Sequence, residues 1–250
     1  MLSGIDLNQI FLFPFKDAIS RKYLLIGCGV ALAGFIVPLV PYLVLLGYAA
    51  RIVKQIFNHE SPHMIPWDDW GKMLEDGVRM FAARMVFSLP ILILVIPLVF
   101  IGLGMPLILG SINSSDTDLM IIIFSLIMIA GMCLIIPISI PLTAVIPAAE
   151  MNVIDKCEFT AGLRFREWWV VFRANLGGFI AAFVIYYVVS MLLAVILQII
   201  MATLFLSCLL PILVPGATVY LTLIMYATIA QVYVAGKERL SQAETVQRAD

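Results

Sequence analysis

The 250 residues are 63% hydrophobic and 12% charged, with a mean hydropathy of +1.08; a water-soluble domain carries about a quarter of its residues charged, so a soluble globule is excluded. Fifteen Lys and Arg against sixteen Asp and Glu leave a net charge of -1, which gives nucleic acid nothing to bind. The composition is that of a polytopic membrane helix bundle, all-α, because a transmembrane barrel would show alternating strands rather than unbroken apolar runs.

Each charged residue in hydrocarbon costs roughly 2.5 to 3.5 kcal/mol on insertion scales, so stretches without Asp, Glu, Lys or Arg mark the membrane. Four such stretches occur, at residues 23–50, 85–115, 119–149 and 174–236. Ahead of them, residues 5–19 mix Ile, Leu and Phe with Asp6, Asn8, Lys16 and Asp17 around Pro14, the pattern of an amphipathic segment lying at the membrane interface. The apolar run that follows is too long for the core of a secretory signal.

The first stretch carries Pro38 and Pro41 near its middle. Those prolines favour a re-entrant hairpin over a single crossing, and the two readings give four or five crossings in all. A spanning helix needs about 20 residues, so the second and third stretches are one long helix each and the fourth holds two. The break in the fourth is expected at 210–216, where Pro211, Pro215 and Gly216 cluster. Residues 1–236 thus read as a single integral membrane domain, and 237–250 as a polar tail that frays.

Positive residues are retained on the cytoplasmic side. Arg51, Lys54, Lys72, Arg79 and Arg84 lie between the first two stretches; Lys156, Arg164, Arg166 and Arg173 between the last two; Lys237, Arg239 and Arg248 on the tail. The connection 112–118 and the turn near Pro211 have no Lys or Arg. A multi-pass protein of the cell membrane with a cytoplasmic C-terminus follows. Lys16, Arg21 and Lys22 conflict with this only if the first stretch crosses once.

The loop 51–84 contains His59-Glu60-Ser61-Pro62-His63, which spells the zinc-protease pattern H-E-x-x-H. That chemistry needs both imidazoles on one helical face, and Pro62 sits inside the would-be turn. With no third histidine, Glu75 or Asp76 would have to complete the site, so the motif is read as a decoy and no metal or cofactor is expected. The four cysteines, Cys28, Cys133, Cys157 and Cys208, have no ligand or redox spacing and read as small hydrophobes.

Further along the loop, Trp67, Asp68, Asp69 and Trp70 combine two indoles with two helix-capping carboxylates. The loop 151–173 repeats the style with Arg164, Arg166, Glu167, Trp168, Trp169 and Arg173. Trp residues favour the headgroup layer, and basic residues there attract anionic lipid, so an interfacial anchor is the first expectation for both loops. Together with Arg51 and Arg79 these residues form the candidate surface for lipid headgroups or a partner.

The order Phe13-Pro14-Phe15-Lys16-Asp17, Gly47-Tyr48-x-x-Arg51, Pro66-Trp67-Asp68-Asp69-Trp70 and Gly77 resembles the prokaryotic multi-pass family known as domain of unknown function 4013. Pro141 and Pro147, then Phe165-Arg166-Glu167 and Asn175, look like its second half. The resemblance implies a bacterial or archaeal membrane protein and no assigned reaction. It extends distantly to the membrane portion attached to some glycerophosphodiester phosphodiesterases, whose catalytic barrel has no counterpart in this chain.

Within the apolar stretches polar groups are sparse: Ser88, Thr143, Asn175, Gln198, Thr203, Ser207 and Gln231, with Glu150 at their edge. Such groups serve more often as interhelical glue than as a transport path. Small pairs such as Gly27 with Ala31, Ala174 with Gly178 and Gly178 with Ala182 suit close helix approach or oligomers. The expectation is a non-enzymatic membrane protein, a structural or accessory subunit of a membrane complex acting through its Trp- and Arg-bearing cytoplasmic loops. Its expected partners are membrane lipids and a membrane protein or second copy. The alternatives are a permease or channel for a neutral or amphipathic solute, whose proline-kinked helices would enclose a wet cavity, and a lipid-headgroup-binding or lipid-handling protein.

Overall fold

The computed structural model describes residues 5–109, 117–203 and 206–247. Every regular element is helical: α1 Leu7–Leu12, a 3-10 turn Phe13–Phe15, α2 Ala18–Ala33, α3 Val40–Phe57, α4 Trp70–Leu109, α5 Thr117–Lys156, α6 Phe159–Leu163, α7 Phe165–Ala174, α8 Leu176–Ala202, a 3-10 turn Leu206–Leu209 and α9 Leu210–Gln247. Five of these, α3, α4, α5, α8 and α9, are long and apolar enough to cross a membrane. The chain is an all-α multi-pass membrane protein. The outer connection expected at 112–118 falls mostly outside the described residues, as does Arg248.

Two compact units are formed, one from Met1–Ala83 with Pro147–Asp250 and one from Arg84–Ile146. The second unit is made of the C-terminal part of α4 and the N-terminal part of α5. Each of these helices is 40 residues long, about 60 Å, roughly twice what a bilayer requires. Where α4 and α5 meet, a Cβ on Gly131 would press on the Leu98 side chain. Beside that contact lies a groove of about 420 Å³ lined by Val95, Leu98, Val99, Gly102, Leu103, Met128, Met132 and Ile135, all apolar.

In the first unit the fate of the first apolar stretch is decided by one indole. Trp67 donates its Nε1–H to the Tyr23 carbonyl at 2.9 Å and stacks on Tyr48 with ring centroids 4.0 Å apart. Residues 25 apart on a straight helix would be separated by about 37 Å, so the chain doubles back. It does so at 34–39, where Leu39 takes the left-handed conformation at φ 75° and Phe35, Ile36, Leu39 and Val40 are exposed. Asp17 starts the hairpin by accepting the Ser20 N–H at 2.5 Å, and that bond holds its carboxyl below the usual aspartate range. A single continuous helix through residues 23–50 is thereby excluded, and the stretch folds as a helical hairpin. Arg21 and Lys22, just before Tyr23, emerge at the same end as Arg51, just after Tyr48.

The break in the fourth stretch lies upstream of the proline cluster. Helix α8 ends at Ala202, and α9 already begins at Leu210. Pro211 starts α9 instead of ending α8, because the first-turn N–H groups have no intrahelical acceptor and proline loses nothing there. Pro215 is accommodated inside the helix. At the other end α9 runs on as helix through Lys237 to Gln247, where the sequence pattern had suggested a frayed tail.

Helix α9 is the post around which this unit is assembled. The Asp6 N–H donates to Gln231 Oε1 at 2.9 Å, and the Tyr220 hydroxyl donates to the Phe11 carbonyl at 3.4 Å. The amphipathic N-terminal segment therefore lies along α9, with Ile5, Ile10 and Phe13 buried and Leu12 and Phe15 left outside. Tyr233 packs on Phe57 of α3 with ring centroids 5.7 Å apart. Lys237 bonds Asp155 of α5 at 2.9 Å, and Arg239 donates to the Ala174 carbonyl of α7 at 3.4 Å. The charged ends of α3, α5, α7 and α9 thus share one end of the unit.

Helices α3 and α4 approach each other backbone to backbone. A Cβ on Gly47 would fall on the Met73 carbonyl oxygen, and one on Gly77 on the Leu43 carbonyl oxygen. Each helix contributes the glycine that admits the other's backbone. No side-chain rearrangement could relieve a methyl group at either position.

Candidate functional site

The residues that the sequence singled out gather at the shared charged end, but they divide into two kinds. The first kind holds the fold together. Trp67 is 8% exposed; besides Tyr23 and Tyr48 it touches Gly27, where a Cβ would come within 3.1 Å of the indole. The Tyr48 hydroxyl in turn donates to the Ile65 carbonyl at 2.9 Å and accepts the Ile65 N–H at 3.0 Å, closing the loop over α3. Trp168 is 0% exposed and donates to the Gly162 carbonyl at 2.9 Å. Both indoles are turned inward, whereas Trp70 is 45% exposed and Trp169 is half-buried.

Three of the candidate arginines are likewise engaged internally. Arg51 pairs with Asp69 at 2.7 Å and Asp68 at 3.7 Å. Asp69 also caps α4 by accepting the Lys72 N–H at 3.3 Å. Arg79 pairs with Glu75 and, at 3.5 Å, with Asp76. Asp76 is buried and holds Lys54 at 2.7 Å, tying α3 to α4. Arg164 pairs with Glu158 at 3.3 Å and Glu167 at 3.5 Å. A buried carboxylate needs such partners, since leaving it alone would cost several kcal/mol.

The sequence pattern undervalued a second polar layer. Glu150, fully buried within α5, accepts the Tyr226 hydroxyl of α9 at 2.6 Å. Asn152, one residue pair further on, donates to the Ala161 carbonyl at 2.8 Å and Glu167 at 3.3 Å and accepts the Tyr233 hydroxyl at 3.3 Å. Asn175 separates α7 from α8 and donates to the Val232 carbonyl at 2.9 Å; its Oδ1 is buried without a partner among the described residues. These groups cross-link α5, α6, α7 and α9. The signal for them was present as Tyr226 and Tyr233 one helical heptad apart, whose hydroxyls need acceptors once buried.

The zinc-like motif has no helix to stand on. His59 is the residue after the α3 C-cap, in the left-handed region at φ 60°. The His59 N–H donates to Ile56 and the Glu60 N–H to Gln55, at 3.0 and 2.9 Å, the bond pair that closes a helix C-terminus. His63 lies in extended chain against Gln55, its N–H donating to Gln55 Oε1 at 3.0 Å. His59 instead sits 3.9 Å from Glu238. Among the described residues no three His, Cys, Asp or Glu side chains converge as a metal site.

Two hollows adjoin these groups. One, beside Lys54, Asp76, Arg79 and Cys157, encloses about 10 Å³, room for about one water. The other is an open cleft of about 330 Å³ between the N-terminal segment, the loop after α3 and α9. Asp6, Gln9, His59, Glu60, Ser61, Pro62, Gln231 and Glu238 line it with three carboxylates and no Lys or Arg.

A family model described as protein of unknown function, DUF4013, matches residues 30–206, and the chain belongs to that family. No curated protein and no solved structure matches it, so the distant similarity to the phosphodiesterase membrane portion gains no support from these comparisons.

Proposed function

We propose that this protein is a non-catalytic subunit of a membrane assembly, held in the cell membrane by its apolar helices and docking a partner at its one charged end. The observation that carries this reading is the use to which that end puts its ionisable groups. Arg51, Lys54, Arg164 and Lys237 each tie two segments of the same unit together, and Arg79 braces the buried Asp76 from within α4, which makes a preorganised surface instead of a reaction chamber. The hollow beside Lys54 and Arg79 is too small for a substrate, whereas the open acidic cleft has the size of a ligand-binding recess. Its carboxylates suit a basic segment of a partner protein. The abundance of Lys and Arg at this end argues that it faces the cytoplasm.

Native purification followed by mass measurement of the intact particle tests the reading. A stoichiometric protein partner is expected with the wild-type chain and is expected to be lost from the Glu60→Lys, Glu238→Lys double variant. A bare monomer that retains a defined solute would overturn the subunit reading in favour of a permease. A partner that stays bound to the double variant would remove the cleft from the interface.

A further inference from the structure

Eight arginines lie within the described residues, and six have an intramolecular partner. Arg51, Arg79 and Arg164 are in ion pairs; Arg21 and Arg239 donate to backbone carbonyls; Arg84 is also engaged. The remaining two, Arg166 and Arg173, are exposed and have neither an ion pair nor a hydrogen bond among the described residues. Both are on α7.

They also share a face. On a helix with 3.6 residues per turn, Arg166, Trp169, Val170 and Arg173 fall within an arc of roughly 100°, with the two guanidinium groups about 10 Å apart along the axis. The opposite face, Trp168, Val171 and Phe172, is buried. Between the arginines, Trp169 is clamped by Phe165 at 4.9 Å and Phe172 at 5.4 Å, stacked on both. Its indole N–H donates to no acceptor among the described residues. Val170, 49% exposed, adds an apolar side chain to this basic face.

The position of α7 supplies the occupant. Leu176, three residues beyond Arg173, begins the apolar span Leu176–Ala202. The two helices are parted by Asn175, whose backbone leaves helical geometry at φ -131°, ψ 40° and whose side chain is pinned to the Val232 carbonyl at 2.9 Å. Helix α7 is therefore held at the boundary of the hydrocarbon, in the layer where lipid phosphates lie. We infer that the outer face of α7 is a binding site for anionic phospholipid headgroups. Arg166 and Arg173 take phosphate oxygens through their paired N–H groups, while the Trp169 N–H takes an adjacent phosphate or ester oxygen. Arg164, only two residues from Arg166, belongs to the fold and not to the site, because Glu158 and Glu167 already hold it. This inference stands apart from the docking cleft, with which it shares no residue.

The test uses the full chain in nanodiscs of phosphatidylcholine containing phosphatidylglycerol. Lipids retained after gentle detergent extraction are counted by native mass spectrometry. Wild type is expected to retain phosphatidylglycerol in excess of its share of the bilayer. Arg166→Gln and Arg173→Gln are each expected to lower that retention about fivefold, the effect of one basic residue at an anionic surface, and the double variant more. Arg166→Lys with Arg173→Lys keeps the charge and is expected to recover most of it. Arg164→Gln is expected to leave it unchanged, and inorganic phosphate is expected not to compete. Retention that is unchanged in the double Gln variant, or lost equally in Arg164→Gln, overturns the site. Displacement by inorganic phosphate overturns the lipid assignment.

Discussion

The two compact units differ in what the polar side chains described in them reach across to, although hydroxyls such as Thr218 and Thr228 of the first also bond within their own helix. In the unit built around α9, Asn152, Asn175, Tyr226, Tyr233 and Lys237 all bond to a different element. In the unit formed by the C-terminal part of α4 and the N-terminal part of α5, Ser125 donates to Ile121, Ser139 to Ile136 and Thr143 to Ser139, each within its own helix. A hydroxyl that turns back on its own turn satisfies itself and specifies no neighbour. A cross-helix bond at a buried site does both, and leaving it unmade is costly. Cross-helix polar bonds thus help to specify the arrangement of the first unit, while the described Ser and Thr side chains of the second leave its α4–α5 contact to apolar packing, as at Gly131 and Leu98.

The largest expected effect sharpens that contrast at glycine. Gly47→Ala or Gly77→Ala places a methyl group on a partner carbonyl and is expected to destabilise by about 3 kcal/mol or more, or to prevent folding. Gly104→Ala in the other unit meets nothing within 4 Å and is expected to raise stability by about 0.5 to 1 kcal/mol through helix propensity alone. Thermal unfolding in detergent compares the two, and equal tolerance at Gly47 and Gly104 would break the comparison.

Next in size is the hydroxyl between Tyr226 and Glu150. Tyr226→Phe leaves the buried carboxylate short of a donor and is expected to cost about 2 kcal/mol. Ser139→Ala is expected to stay within about 0.5 kcal/mol. Urea unfolding followed by tryptophan fluorescence reports both values. A third contrast lies within a single loop: Trp67→Phe removes the bond to Tyr23 and is expected to cost about 1 to 2 kcal/mol, whereas Trp70→Phe is expected to be close to neutral. If Trp70 proves the more sensitive, the hairpin is not held by the indole that bridges its arms.

The smallest effect has the opposite sign. His59 occupies a left-handed backbone position where glycine carries no Cβ penalty, so His59→Gly is expected to stabilise by about 1 kcal/mol. A shift of the melting temperature upward checks it. A downward shift would show that the imidazole near Glu238 outweighs the backbone gain.

Much of the candidate site was visible as composition and little of it as geometry. The Trp67–Trp70 and Arg164–Arg173 segments stand out in a chain with so few charges, and the structure does bring them to one end. Nothing in a run of residues tells which of two indoles three apart turns inward, because that depends on whether another helix presents an acceptor, as Tyr23 does for Trp67. The same holds for the polar residues of the apolar stretches. Gln231 and Asn175 became bridges, whereas Thr143 and Thr203 bonded within their own turns, although all four are short polar residues in similar surroundings. Of the small residues, Gly27 and Gly178 do meet neighbours, yet the glycines whose added Cβ would strike a partner backbone hardest are Gly47 and Gly77, which lie on different helices and form no pair of small residues four apart in either.

The order of apolar stretches, their helical state, the presence of two helices in the last one and the failure of H-E-x-x-H were determined by the amino-acid sequence alone. These follow from local costs, namely charge in hydrocarbon, unsatisfied backbone in lipid and proline within a turn. Only the tertiary structure decided that residues 23–50 fold back, that Pro211 opens a helix, and that Arg51, Arg79 and Arg164 are occupied while Arg166 and Arg173 have no partner among the described residues. Each of those outcomes depends on which partner atom arrives from a distant part of the chain, and a pairwise contact between remote segments leaves no periodic trace in either one.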